Sequence, residues 1–204
     1  HNGEINTIRG NFDRMRAREE TMRSPLLGED MLRVLPVIQP GGSDSQMLDN
    51  TLEFLYMNGM PLPLAGMVLL PEPWQGQTET TPWRDLYRYY STMMEPWDGP
   101  AAVLYSDGDV VCASLDRNGL RPLRCALTDE GRLILSSEAG ALYEESAHIT
   151  RRWRLNSGGI LVADVRTGEL LENGAVKARF AARRPYGEWT RGILRLQDIP
   201  GPVA

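Results

Sequence analysis

The amino-acid sequence predicts an α+β fold in which helices occupy the first half of the chain and antiparallel strands the second. Between residues 45 and 94, apolar side chains recur at intervals of three and four, which is typical of one face of a helix. After Pro96, apolar residues fall into short runs separated by turn-forming residues, which is typical of hairpins. Strands this apolar need cover on both faces, so we expect a layered sandwich with helices outside.

The clearest predicted helix covers Ser45–Met57. Asn58 and Gly59 are suited to end this helix, and either Ser43 or Asp44 could cap its first turn. The other three helices are expected over residues 11–22, 62–70 and 82–94.

The predicted strands form three hairpins, each with two apolar runs joined by a turn that contains glycine. The expected strand pairs cover residues 101–105 and 110–115, 124–127 and 133–137, and 159–164 and 169–172.

The composition is that of an ordinary globular protein. Its 204 residues are 42% hydrophobic and 24% charged, which suits one core and one domain. The net charge of −5 gives no reason to expect nucleic-acid binding, and no apolar run is long enough to span a membrane. Cys112 and Cys125 lie in apolar, strand-like stretches. A disulfide between them is conceivable, but two buried, reduced thiols in a cytoplasmic protein are favoured.

The chain opens with Asn2 and Gly3 side by side. A glycine N–H can approach a ligand closely, and an asparagine amide donates a second hydrogen bond, so the pair could form an oxyanion hole for amide hydrolysis. An isolated Asn-Gly pair is more often simply a turn.

The segment Ser43-Asp44-Ser45 precedes the clearest helix. Asp44 is either a helix cap or a carboxylate that binds a cation, and the two roles can coexist if Ser43 is the cap.

The segments 116–122 and 137–140 are interpreted as turns between strands. We expect Arg117 or Arg121 to pair with Asp116 or Glu138, and we interpret these residues as scaffold around a site and not as catalytic groups.

Four segments together resemble one family. Residues 1–11 (His-Asn-Gly-Glu-Ile-Asn-Thr-Ile-Arg-Gly-Asn), 43–45 (Ser-Asp-Ser), 94–102 (Met-Glu-Pro-Trp-Asp-Gly-Pro-Ala-Ala) and 116–122 (Asp-Arg-Asn-Gly-Leu-Arg-Pro) are similar to the glutamate synthase form of the class II glutamine amidotransferase domain. The resemblance implies an N-terminal-nucleophile αββα four-layer sandwich, incomplete in this chain. It also implies that Asn2 and Gly3 form the oxyanion hole and that Asp44 binds the α-amino group of glutamine.

The resemblance reaches Pro185–Trp189, so residues 1–190 are expected to be the C-terminal part of the domain and residues 191–204 a linker or tail. In this family the nucleophile is an N-terminal cysteine whose own α-amino group acts as base. The chain starts at His1, and neither of its cysteines matches that position. An upstream segment is therefore expected to carry the cysteine and the arginine that binds the glutamine carboxylate, and the chain alone is expected to be inactive.

The same resemblance implies FMN and an iron–sulfur cluster elsewhere in the parent enzyme, a synthase domain that uses the ammonia, and an FAD- and NADPH-dependent reductase subunit. No cofactor or metal site is expected in this chain. A copper site at His1 and His148 is disfavoured, since neither disulfide bonding nor export is indicated. Two alternatives remain, namely another class II enzyme (phosphoribosyl-pyrophosphate amidotransferase or asparagine synthetase) and a non-catalytic assembly module.

Overall fold

A computed structural model describes residues 1–75 and 81–194 of the chain. The helices are α1 (Ile8–Glu19), α2 (Asp44–Met57), α3 (Leu62–Leu69), α4 (Arg84–Tyr90), α5 (Asn173–Ala181) and α6 (Tyr186–Trp189). The strands are β1 (Asn2–Gly3), β2 (Ala101–Ser106), β3 (Val110–Leu115), β4 (Arg124–Thr128), β5 (Leu133–Ser136), β6 (Ile149–Arg154), β7 (Ile160–Asp164) and β8 (Leu170–Leu171). Two 3₁₀ turns cover Gly28–Arg33 and Ser146–His148.

The strands form two antiparallel sheets. The five-stranded sheet has the order β1-β2-β3-β7-β8, and the three-stranded sheet has the order β5-β4-β6. Alternate residues of the five-stranded sheet face opposite ways, as the two-residue period of a strand requires. Cys112 therefore packs toward the helices, while its neighbour Ala113 packs toward the three-stranded sheet.

Two cores follow from this layering. The helix-side core lies between the five-stranded sheet and the helices and contains, among others, Leu69, Leu86, Trp97 and Val176. The inter-sheet core lies between the two sheets and is smaller. It contains Ala102, Ala113, Leu115, Leu123, Cys125 and Leu161. The α+β prediction is confirmed, and the described residues supply a helical layer and two sheets.

The predicted helices are present with adjusted ends. Ser43 caps α2, because its Oγ accepts the Gln46 N–H at 3.2 Å, and α3 ends one residue before its predicted end. The first helix begins three residues earlier than predicted, at Ile8. Asn11 is buried there and donates to the Pro96 carbonyl at 3.1 Å, so a polar residue inside α1 serves a tertiary contact. The prediction over residues 82–94 is too long, since α4 gives way to turns after Tyr90.

All three predicted hairpins are confirmed, as β2–β3, β4–β5 and β7–β8. Strand β6 and helix α5 are among the elements that were not predicted. Strand β6 reads Ile-Thr-Arg-Arg-Trp-Arg, and its arginines hide the strand pattern. Helix α5 is only nine residues long and buries Val176, Lys177 and Phe180. No helix of the described residues is both long and apolar enough to cross a membrane.

Candidate functional site

Gly3 occupies a position that only glycine can fill. Its φ of +141° lies in a region that side chains disfavour, and a Cβ atom there would lie 1.7 Å from the Pro100 carbonyl oxygen. The neighbouring strand therefore supports the Asn-Gly pair directly, with no room for a larger residue. The reading of Asn2-Gly3 as an ordinary hairpin turn is wrong, because both residues lie in β1 and pair with β2.

The Gly3 N–H points away from β2. Gly3 lies opposite Ala101, and the next N–H, that of Glu4, donates to the Pro100 oxygen at 2.9 Å. In an antiparallel ladder, successive N–H groups point to opposite sides. Since β1 is the edge strand, the Gly3 N–H is presented at the open edge of the five-stranded sheet. A backbone donor at that edge is suited to bind an oxygen of a ligand.

Asp44 brings the second motif to the first. Its Oδ2 accepts the Ile5 N–H at 2.7 Å, and its Oδ1 accepts the Ser45 N–H at 2.7 Å. This contact fixes the start of α2 against Ile5, which lies two residues after Gly3. The two motifs therefore meet in the fold, although they lie far apart in sequence. A carboxylate has about four lone-pair positions. Each oxygen of Asp44 accepts one N–H, so lone pairs remain for a cationic group.

A cleft of about 370 Å³ lies beside this junction. Its lining combines the first turns of α2 with the open edge of β2, and includes His1, Ser43, Ser45, Leu104 and Tyr105. Among these, His1 is the sequence neighbour of Asn2, and Ser43 and Ser45 are those of Asp44, while Asn2, Gly3 and Asp44 are not part of the lining. The volume is within the range of small-molecule sites.

A larger cleft of about 600 Å³ lies on the outward face of the three-stranded sheet. Its lining includes Glu138 and the exposed arginines Arg124, Arg152 and Arg154. It includes none of the residues of the Asn-Gly and Ser-Asp-Ser motifs. We therefore place the candidate site at the smaller cleft, where the backbone donor and the carboxylate meet.

The expected ion pairs around the third motif are wrong. Asp116 is buried and accepts the backbone N–H groups of Ala101, Asn118 and Leu120, so its carboxylate is already occupied by N–H dipoles. Arg117 pairs with Asp98 instead.

Neither of the other two residues expected in those pairs, Arg121 and Glu138, forms an ion pair with Asp116 in the described part of the chain. The Nε of Arg121 is buried and meets no acceptor among the described residues. The exposed Glu138 carboxylate, in the wall of the larger cleft, makes no ion pair in the described ranges. The scaffold interpretation of Asp116 thus rests on backbone contacts.

The segment that supports β1 lies within residues 94–102, which carried the family resemblance but to which the sequence assigned no supporting role. Gly99 has a φ of +153°, and a Cβ atom there would lie 2.1 Å from the Glu4 carbonyl oxygen. Thr7 binds the same segment, since its Oγ1 accepts the Asp98 N–H at 2.9 Å. The glycine and the two prolines near it were the available signal, because such residues mark close backbone approach.

Both cysteines are free and buried, as predicted. Burial raises the pKa of Cys112 to about 12, with a further contribution from the charge of Asp107. Burial likewise raises the pKa of Cys125 to about 11. At neutral pH both are protonated thiols, and nucleophilic attack requires a thiolate. Neither is suited to act as the nucleophile at this site.

Comparisons with known proteins agree with the geometry. A sequence model of the family described as glutamine amidotransferases class-II matches residues 1–189. The chain is 43% identical over 203 residues to the glutamate synthase (NADPH) large chain of Bacillus subtilis, covering 99% of this chain and 13% of that protein. It is 38% identical over 208 residues to the glutamate synthase (NADH) of Saccharomyces cerevisiae, covering 100% of this chain and 10% of that protein.

A plant relative is also similar. The chain is 41% identical over 199 residues to the chloroplastic ferredoxin-dependent glutamate synthase 2 of Arabidopsis thaliana, covering 96% of this chain and 12% of that protein. The chain thus spans about a tenth of the length of the relatives it matches. These matches extend over both sheets and over the junction between β1 and α2, and on that basis the chain belongs to the class II glutamine amidotransferases, in the form found in glutamate synthase large chains.

Proposed function

We propose that this chain forms the oxyanion-binding side of a glutaminase site, which hydrolyses glutamine to glutamate and ammonia. The supporting observation is the Gly3 N–H at the open sheet edge, next to a carboxylate, Asp44, that retains free lone pairs. When a thiolate adds to the side-chain carbonyl carbon of glutamine, the carbonyl oxygen becomes negatively charged. The Gly3 N–H and the Asn2 amide stabilise that charge, and Asp44 holds the α-ammonium group.

The nucleophile comes, in this proposal, from a segment of a longer polypeptide. The thiols of Cys112 and Cys125 are buried and protonated at neutral pH, which favours a different cysteine. The same segment supplies the arginine for the glutamine carboxylate. Residues 1–204 alone are therefore inactive in glutamine hydrolysis.

The longer polypeptide is proposed to be a glutamate synthase, in which the released ammonia aminates 2-oxoglutarate on a synthase domain. FMN and an iron–sulfur cluster belong to other parts of that enzyme. Such clusters are typically held by four cysteine thiolates, and this chain offers two cysteines, buried in different sheets. The residues of this chain therefore do not fit an iron–sulfur cluster.

The electron donor is a property of the rest of the enzyme. The names of the relatives specify NADPH, NADH or ferredoxin, although the same domain matches in all of them. Our proposal of an FAD- and NADPH-dependent reductase subunit follows the first of these. A cytoplasmic location is also proposed, because two free thiols suit a reducing compartment.

The test compares ammonia release from glutamine by residues 1–204 and by the complete polypeptide that carries them. We expect activity only in the latter. There, Asn2→Ala lowers kcat about 100- to 1000-fold, as expected for loss of one oxyanion donor, and Asp44→Asn raises the KM for glutamine. Asn6→Ala, which changes an exposed asparagine of the same motif, serves as the control.

Two outcomes would contradict the proposal. Robust ammonia release by residues 1–204 alone would place a nucleophile within this chain. Full activity of both Asn2→Ala and Asp44→Asn in the complete polypeptide would instead indicate a non-catalytic assembly module.

A further inference from the structure

Asp116 is a buried carboxylate with no cationic partner in the described part of the chain. It is 3% exposed and follows β3 directly. Its Oδ2 accepts the Ala101 N–H at 3.1 Å and the Leu120 N–H at 3.2 Å, and its Oδ1 accepts the Asn118 N–H at 2.9 Å. A buried charge is costly unless hydrogen bonds satisfy it. Three backbone donors perform that task here, so the carboxylate and the surrounding backbone stabilise each other.

Asp116 binds both backbone polar groups of Ala101. While its carboxylate accepts the Ala101 N–H, its own N–H donates to the Ala101 oxygen at 2.9 Å. This double contact extends the β2–β3 pairing by one residue, since Ala102 already lies opposite Leu115. The position of Ala101 is therefore determined by Asp116 through two hydrogen bonds.

Gly3 is in direct backbone contact with Pro100 and Ala101. Gly3 is the cross-strand partner of Ala101, and the Glu4 N–H donates to the Pro100 oxygen. A Cβ atom at Gly3 would lie 1.7 Å from that oxygen, so the backbones of β1 and of Pro100 are in close contact. Any displacement of Pro100 and Ala101 is transmitted to Gly3.

The far side of Asp116 is anchored in the protein interior. Its carbonyl oxygen accepts the Gly158 N–H at 2.8 Å, and the Gly158 oxygen accepts from Lys177 Nζ at 2.8 Å. Lys177 is the only lysine of the chain, is 1% exposed and pairs with Glu72 at 2.5 Å. The Asp116 backbone is thus fixed on one side, and its carboxylate reaches toward β2 on the other.

We propose that Asp116 is a positioning residue for the oxyanion hole, which aligns the Gly3 N–H by holding Ala101. This inference rests on the proposed function. Oxyanion donors act only when they are accurately placed, and a displacement of about 1 Å can lower a rate on the order of 100-fold. Ground-state binding of glutamine depends on Asp44, which contacts a different backbone group, so it is unaffected.

The test is steady-state kinetics of Asp116→Asn in the complete polypeptide that carries this chain. The asparagine keeps the size of the side chain but turns an amide toward N–H groups that need an acceptor. We expect kcat for glutamine hydrolysis to fall about 10- to 100-fold, with KM within about twofold of the wild type. Hydrogen exchange at the amides of Ala101, Asn118 and Leu120 accelerates in the same variant.

Glu95→Gln is the matched control. Glu95 is also buried, and it pairs with Arg18 on α1. A purely structural role for Asp116 predicts that both variants lose activity only in proportion to their folded fraction. An Asp116→Asn enzyme with unchanged kcat per folded molecule, or with KM raised as much as kcat is lowered, overturns the proposal.

Gly119→Ala decides the matter if Asp116→Asn fails to fold. Gly119 lies in the turn held by Asp116 with a φ of +63°, and a Cβ atom there would lie 2.4 Å from Ser157 Oγ. The substitution keeps the carboxylate but displaces the turn whose Asn118 and Leu120 N–H groups hold it, so we expect a smaller loss of kcat with unchanged KM. An unchanged kcat in this variant rejects the proposal. Asn2→Ala, measured alongside, distinguishes failure of the proposed function from failure of the role of Asp116. If Asn2→Ala has no effect, the proposed function fails. If Asn2→Ala lowers kcat but the Asp116 and Gly119 variants do not, only the role of Asp116 is rejected.

Discussion

The two sheets face each other across the inter-sheet core, but their outward faces differ. The outward face of the five-stranded sheet is covered by helices and contributes to the helix-side core. The outward face of the three-stranded sheet carries Arg124, Arg152 and Arg154, which are exposed and have no carboxylate partner among the described residues. Arg124 and Arg154 even lie directly opposite each other, an arrangement of like charges that destabilises a strand pair.

The candidate site is built on the five-stranded sheet, which the helices cover. Gly3 is held by β2, Asp44 by α2, and Asp116 by the end of β3. A site that needs accurate placement benefits from rigid, well-packed elements. The comparison therefore predicts that stability is concentrated in the helix-side core, and the following experiments test that prediction.

The largest effect is expected at Lys177, which is buried on the helix side. Lys177→Met leaves the Glu72 carboxylate without its cation, and breaking a buried pair in this way costs about 3–5 kcal/mol. Urea unfolding measures the loss. Arg179→Met, on the same helix but in a half-exposed pair with Glu169, is the control and is expected to change stability little. Equal losses in the two variants would contradict a special role for the buried pair.

The two cores are compared by truncating one leucine on each side. Leu69→Ala, at a fully buried position of the helix-side core, is expected to cost about 2–5 kcal/mol. Leu135 packs against the inter-sheet core and remains partly exposed, so Leu135→Ala is expected to cost less than half as much. Thermal or urea unfolding of both variants checks the order, and a reversed order would refute the comparison.

A smaller effect is expected at the start of α2. Ser43→Ala removes the side chain that accepts the Gln46 N–H and should cost about 1 kcal/mol. Ser43→Gly, which retains a backbone suited to a cap, should cost only about 0.3 kcal/mol. If alanine and glycine prove equivalent in urea unfolding, the side-chain cap does not stabilise the helix.

The smallest effect is expected next to the three-stranded sheet, at the exposed pair of His148 and Asp129. The pKa of His148 is raised, mainly by its hydrogen bond to the Asp129 carboxylate, at 3.1 Å. A raised folded-state pKa adds stability below the unfolded pKa, and that stability is lost as pH rises through the folded pKa. In an NMR titration, Asp129→Asn should lower the pKa of His148 toward its ordinary value. An unchanged titration would show that the pair does not form in solution.

Elements with a local pattern were predictable from the sequence. The α2 helix follows from apolar periodicity and a capping serine, and the hairpins follow from apolar runs around glycine turns. β6 was missed because Arg151 shares one face with Trp153, while Arg152 and Arg154 occupy the other, so neither face reads as an apolar alternation. The short helix α5 depends on tertiary packing of Val176 and Phe180, which local propensity does not reveal.

The candidate site was predictable in its residues but not in its geometry. Asn2, Gly3 and Asp44 could be named from motifs, yet the direction of the Gly3 N–H depends on Pro100 and Ala101, nearly a hundred residues later. The partner of Asp116 was predicted wrongly for the same reason. Its acceptor capacity is taken up by backbone groups that fold around it, and a sequence displays charges but not N–H directions. The proposed boundary at residue 190 stays a prediction, and residues 195–204 of the expected tail lie outside the described part of the chain.

The two cysteines give the chain a built-in pair of reporters. Cys112 lies in the helix-side core and Cys125 in the inter-sheet core, and both are shielded from reagents in the folded protein. A thiol-reactive label added in pulses would therefore count only those molecules in which the corresponding layer has opened. Peptide mass mapping of the labelled residue would then tell whether the helices or the three-stranded sheet detach first, without any substitution in the protein.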